Sequence, residues 1–367
     1  MWNGSSKMQR AGSRKQIFRM ALLPFGEAYS AALALRNAMF KVGIFPVARV
    51  GVPVIAVGNI TAGGTGKTPL VEFIVRMLQN LGKKVAVVSR GYGRRSHGVV
   101  VVSDGKSVLV DGSVGGDEPV QVARKFPGVP VVVGERRIDA VHRAVNELGA
   151  GVVVLDDAFQ HRFIHRDLNI LVLEAGKDIR DEWSLPAGLR REPLVGIRRA
   201  DLVAWSGIKN HQRVADLRGQ IARWFAGPMI SYCVEPLPLR TVRGGVDKGS
   251  CVGKRVVAFC GIAAPQRFFA TVRQIGGDTV REMVFPDHHR FTKQDVQRIL
   301  LEFCTSHADL LVTTEKDATR MLAVEDLRCN FLESYPVWYL PVEVRIVEGE
   351  EQLTRMLLHA LGGTEST

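Results

Sequence analysis

Lys67 and Thr68 close the stretch Val54-Ile-Ala-Val-Gly-Asn-Ile-Thr-Ala-Gly-Gly-Thr-Gly-Lys-Thr-Pro69, and they are the residues through which this chain can hold a polyphosphate. The apolar run breaks into Thr61, Ala62, Gly63, Gly64, Thr65 and Gly66. Residues without a Cβ can take positive φ there and turn several backbone N–H groups onto one anion. Lys67 then reaches for the β- and γ-phosphates, and the Thr68 hydroxyl for Mg2+. A helix expected over 68–81 points the positive end of its dipole the same way. The usual pattern has Gly where this chain has Thr61, and a glycine-rich turn with a solvated lysine would share the composition.

The carboxylates and imidazoles that could complete such chemistry lie further on. Val152-Val-Val-Leu-Asp-Asp157 is an apolar run ending on two acids, where a nucleotide-binding sheet places the group that holds Mg2+ or its water. Asp156 and Asp157 are therefore natural partners of Thr68, although aspartates at strand ends also make turns and cap helices. Gly115-Gly-Asp-Glu-Pro119 sets Asp117 and Glu118 on a glycine turn at a helix start. That is ordinary capping chemistry, or a general base for an attacking hydroxyl. A base needs a partner to tune it, and Pro286-Asp-His-His-Arg290 offers His288 and His289. Arginines gather in Arg90-Gly-Tyr-Gly-Arg94, Arg136-Arg137 and Arg190-Arg-Glu-Pro193. Their planar forks suit phosphate oxygens; a solvated basic face would look the same.

The elements that must position these residues follow from periodicity. Short apolar runs at 84–89, 129–133, 152–155 and 169–173 read as strands buried on both faces, with helical patterns at 117–125 and 135–148 between them. Such alternation predicts a P-loop NTPase-like α/β fold, a mostly parallel sheet flanked by helices, with ligands at the carboxyl ends of its strands. After Ser231–Leu239, which reads as extended connecting chain, a second, smaller α/β domain is expected. Its strands lie at 255–259 and 309–313, its helices at 265–275, 293–306 and 351–361. The boundary is placed near 228, giving domains of 1–228 and 229–367, with the last helix able to return to the first domain.

At 367 residues the chain is long enough for two cores, and its net charge of +12 implies anionic company. Residues 1 to 19 carry Lys7, Arg10, Arg14, Lys15 and Arg19 and no acid, ahead of a helical pattern over 25–40. A basic tract beside an amphipathic helix suits an anionic membrane surface, or a helix packed on its own core behind a tail. No apolar run approaches the ~18 residues needed to span a bilayer. Five scattered cysteines without a Cys-x-x-Cys pair suggest neither a disulfide framework nor a zinc site. Recognisable RNA- or DNA-binding motifs are absent, so no nucleic-acid partner is expected.

Taken together, Gly58-Asn-Ile-Thr-Ala-Gly-Gly-Thr-Gly-Lys-Thr-Pro69, Ser89-Arg-Gly-Tyr-Gly-Arg94, Gly116-Asp-Glu-Pro119, Asp156-Asp-Ala-Phe-Gln-His161, Arg191-Glu-Pro193, Asp287-His-His289 and Thr313-Thr-Glu-Lys-Asp317 resemble the tetraacyldisaccharide 4′-kinases, the lipid A kinases. The resemblance runs in order from about residue 20 to 350 and accounts for Thr61. It implies transfer of the γ-phosphate of ATP, with Mg2+, to the 4′-hydroxyl of a tetraacyldisaccharide 1-phosphate. That reaction makes lipid IV-A for lipopolysaccharide, and the family works peripherally at the cytoplasmic face of the bacterial inner membrane. Position by position, the resemblance assigns Lys67 and Thr68 to phosphate and metal, Asp156 and Asp157 to the metal site, and Asp117 with His288 to a base dyad. Tyr92, Glu118, Gln160, His161 and Arg191 match positions lining the family's site, and Glu192 is a further metal-ligand candidate. Ala158 stands where the family usually has Gly, and Gly188-Leu-Arg-Arg-Glu-Pro193 departs from the commoner loop. A P-loop ATPase or GTPase switch without a lipid acceptor is the alternative, sharing Lys67, Thr68 and Asp156 but not needing Asp117 and His288.

Overall fold

The computed structural model describes residues 19–176, 178–209, 214–242 and 248–362. Lys7, Arg10, Arg14 and Lys15 of the basic tract lie outside the described residues. The chain forms two compact units, one from residues 1–67, 155–233 and 346–367, the other from 68–154 and 234–345. The division is not a single cut in sequence. Each crossing falls inside an element: the helix Lys67–Asn80 and the strands Val152–Asp156, Met229–Pro236 and Val342–Glu348.

The first unit is built on parallel strands in the order Val54–Gly58, Leu168–Glu174, Leu202–Ser206 and Met229–Pro236. Val57 faces Ile170, Leu171 faces Val203 and Ala204 faces Ile230. Near-continuous Val, Ile and Leu runs are what a sheet covered on both faces requires. On one side Ile60, Phe159, Leu171, Val203 and Trp205 form a core with Leu217 and Ile221 of the helix Val214–Ile221. The helix Glu350–Ala360 belongs to this unit.

The helix Leu23–Lys41 also belongs here, and its faces are inverted relative to an ordinary amphipathic helix. Its inner face is largely polar: Tyr29 donates to the Arg191 carbonyl at 3.1 Å, Ser30 to Ser184 at 2.8 Å and Asn37 to Glu192 at 2.8 Å. Phe40 closes it, against Phe163 at 4.9 Å and beneath the Arg162 guanidinium. Phe25, Ala28, Ala31, Ala32 and Leu35 face solvent, Phe25 and Leu35 each 64 % exposed. Phe25, in the first turn, is exposed and Phe40, in the last, is buried, so the two ends of the helical pattern differ in burial.

The second unit contains Val85–Ser89 and Pro130–Val133 as parallel neighbours, with Val100–Asp104 antiparallel beyond them. A six-stranded sheet in the same unit runs Lys248–Gly249, Leu239–Thr241, Val337–Leu340, Leu310–Thr314, Arg255–Cys260, Asp278–Val284, its last four strands parallel. Phe259, Phe291, Ile299, Met321 and Phe331 fill one side of it. Two helices here begin on side-chain caps. Thr292 and Asp295 make a reciprocal capping box for Lys293–Thr305, and Thr314 accepts from the Asp317 N–H at the start of Glu315–Leu322. Among the described residues no helix is long and apolar enough to cross a membrane.

Candidate active site

The phosphate-loop residues hang from the end of Val54–Gly58 in the first unit. Gly58 must be glycine, since a Cβ there would lie 2.4 Å from the Phe159 backbone nitrogen. Asn59, buried, donates through Nδ2 to Thr65 Oγ1 at 3.0 Å, bracing the loop across its base. Along one side Ala62 N–H donates to the Leu189 carbonyl at 2.6 Å and Arg191 N–H to the Ile60 carbonyl at 2.7 Å. Gly63 and Gly66 take φ of 111° and 81°, and the Tyr232 hydroxyl donates to the Gly66 carbonyl at 2.9 Å. Gly63 and Gly64 are exposed and Thr65 is buried, so the loop's tip is open to a ligand.

Lys67 Nζ lies 3.3 Å from Asp157 Oδ1, and Arg191 Nη1 donates to Asp157 Oδ2 at 2.9 Å. Burial alone would raise the Asp157 carboxyl, but Lys67 and then Arg191 outweigh it and hold it below the usual carboxylate range. Positive φ falls on Asp157, at 49°, and not on Ala158, whose N–H donates to the Val57 carbonyl at 3.1 Å. The alanine therefore sits at no backbone cost. Asp156 is the buried last residue of its strand.

Glu192 is fully buried and chelated by Arg199, Nη1 to Oε1 at 2.6 Å and Nη2 to Oε2 at 2.8 Å; Asn37 and Gln160 supply further donors. A carboxylate removed from water needs such a partner, and this one is engaged on both oxygens by protein donors rather than turned toward a metal. Gln160 also donates to the Asn59 carbonyl at 2.7 Å, and the His161 ring lies 5.9 Å from Phe163. Glu192 and Gln160 tie the helix Leu23–Lys41 and the segment after Asp157 to the base of the loop.

The second cluster lies wholly in the second unit. Gly116, φ 89°, is too close to Gly91 to carry a side chain, and it swings the chain so that Asp117 opens the helix Asp117–Lys125. His288 Nδ1 stands 2.9 Å from Asp117 Oδ2. His288 itself is held at φ 59°, a left-handed conformation that costs a residue with a Cβ about 1–2 kcal/mol and persists only where surrounding contacts fix it. Its neighbour takes a different role: His289 Nε2 pairs with Asp295 at 2.9 Å and its ring stacks on Phe285. Tyr92, 76 % exposed, presents its ring edge-on to His288 at 6.0 Å. Glu118 accepts from Lys316 at 3.0 Å.

A residue the sequence analysis did not single out completes this cluster. Arg320, on the helix Glu315–Leu322, donates from Nε to Asp117 Oδ2 at 2.7 Å and from Nη1 to Asp317 at 2.7 Å and the Gly261 carbonyl at 2.9 Å. Burial acts to raise the Asp117 carboxyl, yet the His288 hydrogen bond and Arg320 bring it below its ordinary value. The signal was present in Thr313-Thr-Glu-Lys-Asp317: a threonine cap with acids in the first turn starts a helix, and Arg320 follows Asp317 at the i,i+3 spacing.

A third group anchors the same helices. Lys125 donates to Glu72 at 2.6 Å and to Glu315 at 3.2 Å. Burial pushes the Glu72 carboxyl up to about 7. Among the described residues no set of three His, Cys, Asp or Glu side chains is gathered as a ready metal cage. The donors near the loop, Thr68, Asp156 and Asp157, are all oxygens, which is the chemistry a hard cation such as Mg2+ accepts.

Comparison with known proteins agrees with the resemblance carried by the motifs. Residues 18–362 match the family described as Tetraacyldisaccharide-1-P 4′-kinase. Curated relatives include the tetraacyldisaccharide 4′-kinase of Syntrophus aciditrophicus, 37% identical over 91% of this chain and 92% of its own. That of Geobacter metallireducens is 41% identical over 80% of this chain and 86% of its own. The crystal structure of the "apo" form of LpxK from Aquifex aeolicus in complex with ATP superposes with a TM-score of 0.76 at 31% identity, covering 94% of this chain and 99% of that one. The mostly parallel P-loop NTPase-like sheet expected from the sequence is therefore the fold, and this chain belongs to the tetraacyldisaccharide-1-P 4′-kinase family.

Proposed function

We propose that this protein transfers the γ-phosphate of ATP to the 4′-hydroxyl of a tetraacyldisaccharide 1-phosphate, forming lipid IV-A. The observation that carries the reading is the 2.9 Å Asp117–His288 pair in a chain of this family, because a nucleotide switch has no use for a tuned base. Lys67 and the loop N–H groups bind the phosphates, and Lys67 exchanges its Asp157 partner for them. Arg191 acts beside it as a second cation. Thr68, Asp156 and Asp157 would hold Mg2+, which when bound would supply positive charge to the phosphate oxygens. The Asp117–His288 pair accepts the proton of the acceptor hydroxyl as its oxygen bonds the γ-phosphorus and ADP departs. Glu118 and Tyr92 line the acceptor side, and Gln160, His161 and Glu192 support the loop.

The exposed apolar face Phe25–Leu35 of the leader helix, following a basic tract, supports a peripheral position on an anionic membrane, at the cytoplasmic face of the inner membrane. The test is transfer from labelled ATP to tetraacyldisaccharide 1-phosphate in detergent micelles. Acceptor-dependent transfer by the native chain sustains the reading. ATP hydrolysis indifferent to the acceptor would replace it with the nucleotide switch.

A further inference from the structure

We infer that Arg320 is a positioning residue for the Asp117–His288 pair, clamping Asp117 so that His288 keeps its hydrogen on Nδ1 and its Nε2 lone pair free to take a proton. The inference rests on the base role proposed above and extends it to a side chain on a different helix.

Three observations carry it. Arg320 is only 7 % exposed, and the oxygen it binds, Asp117 Oδ2, is the one that faces His288 Nδ1. Its Nη2 also comes within 3.3 Å of that nitrogen. One carboxylate oxygen thus takes a guanidinium N–H and an imidazole N–H together. A carboxylate oxygen only accepts, so the imidazole facing it carries its hydrogen on Nδ1 and its lone pair on Nε2, and Arg320 Nη2 is then a neighbour of Nδ1 and not a donor to it. The clamp is itself held: Asp317, fully buried, accepts from Arg320, from the Gly261 N–H at 2.9 Å and from Thr314 at 2.7 Å. At the head of the same helix Glu315 is tied to Lys125. A guanidinium fixed on three sides cannot swing away when the pair gains charge.

The electrostatic consequence follows from what surrounds the pair. On its own helix Asp117 is followed by Glu118, which Lys316 engages. In the histidine loop the Asp287 carboxylate accepts from the His288 backbone N–H at 3.0 Å, and Arg290 lies near Asp111. From the Glu315–Leu322 helix come Arg320 and Asp317, already paired with each other. Arg320 is the cation in direct contact with the carboxylate. Without it, an aspartate–histidine pair holds a proton tightly, since the protonated imidazole would be its carboxylate's sole close counterion. With it, the carboxylate is already satisfied, and the proton from the acceptor hydroxyl finds an open site.

The experiment is the pH profile of kcat and kcat/KM for transfer in the native chain and in Arg320→Gln, Arg320→Lys and Asp117→Asn, with thermal midpoints for each. In Arg320→Gln the acid limb moves up by about one pH unit, so a loss of ~10-fold at neutral pH shrinks at higher pH. Arg320→Lys keeps the native limb and loses rate, because charge remains while the fork is gone. An unmoved limb in a folded Arg320→Gln makes Arg320 a purely structural brace and overturns the inference. If Arg320→Gln does not fold, a shifted limb in Arg320→Lys overturns it instead. Asp117→Asn separates the two levels: near-native transfer there sinks the base dyad itself, whereas lost transfer with an unmoved Arg320→Gln limb removes only the clamp.

Discussion

Asp157 and Asp117 are each caught between two nitrogenous side chains, and they differ in what those partners can do. Asp157 sits between Lys67 and Arg191, side chains of types that stay charged across the neutral range. Asp117 sits between Arg320 and His288, and histidine is the type that exchanges a proton there. The first arrangement sets two cations on one carboxylate beside the loop. The second sets one guanidinium and one imidazole on the same carboxylate oxygen. Both carry a left-handed residue at the turn, Asp157 at φ 49° and His288 at φ 59°, so in each the backbone is bent to aim a side chain.

The sharpest way to break this comparison is Asp117→Asn, which removes the proposed base while leaving the phosphate loop intact. Transfer should fall by about 10²–10⁴-fold with ATP affinity unchanged, read by steady-state kinetics and nucleotide titration. An equal loss of ATP affinity would mean that the clusters do not divide the work. Lys67→Ala comes next, with a drop of about a hundredfold in transfer and weakened ATP binding. Gly58→Ala tests the backbone side: with Cβ 2.4 Å from the Phe159 nitrogen, the strand end must shift, costing about 2 kcal/mol in unfolding measurements. A melting curve like the native one would show that the close approach is not needed.

The smallest effect concerns Glu72, and its sign is opposite to that of Asp157. The lowered Asp157 carboxyl contributes stability present above about pH 4 and lost as the pH falls. Glu72, raised to about 7, binds a proton in the folded chain that the unfolded chain has already released. Its contribution therefore declines as pH rises from about 4.5 to about 7 and is level beyond. Glu72→Gln lacks that slope. Its thermal midpoint should gain on the native one across this window, by an amount set by how far Lys125 suffers from losing one of its two acids. A constant difference between the two curves would place the titration elsewhere.

What the sequence disclosed depended on how local the cause was. The helix Asp117–Lys125 and the buried strands are written in adjacent residues, as periodicity and unbroken apolar runs, and they appear where the pattern put them. Met229–Pro236 was mistaken for connecting chain because Pro236 and Pro238 suggest a break, yet proline is tolerated where a strand ends. The facing of the leader helix misled for another reason. Counting apolar positions assumes that the protein core is the apolar phase, and this helix buries its polar side. Glu192 and Arg320 were hidden in a third way, since a carboxylate's or guanidinium's partner is chosen by the fold: Arg199 lies seven residues beyond Glu192, and Arg320 is more than two hundred beyond Asp117. Whether His288 or His289 met Asp117 could be settled only by the bend at φ 59°.

The interlaced path of the chain also governs its birth. The first unit needs the helix Glu350–Ala360, and the second needs the part of the strand Val342–Glu348 that runs to Arg345, so neither is complete until these late segments have been made. At ~5–20 residues per second, the last segment of the first unit follows the helix Leu23–Lys41 by on the order of tens of seconds, and throughout that time the helix's apolar face is uncovered, as it is in the finished fold. During translation that face is an adhesive surface the nascent chain offers to the cell.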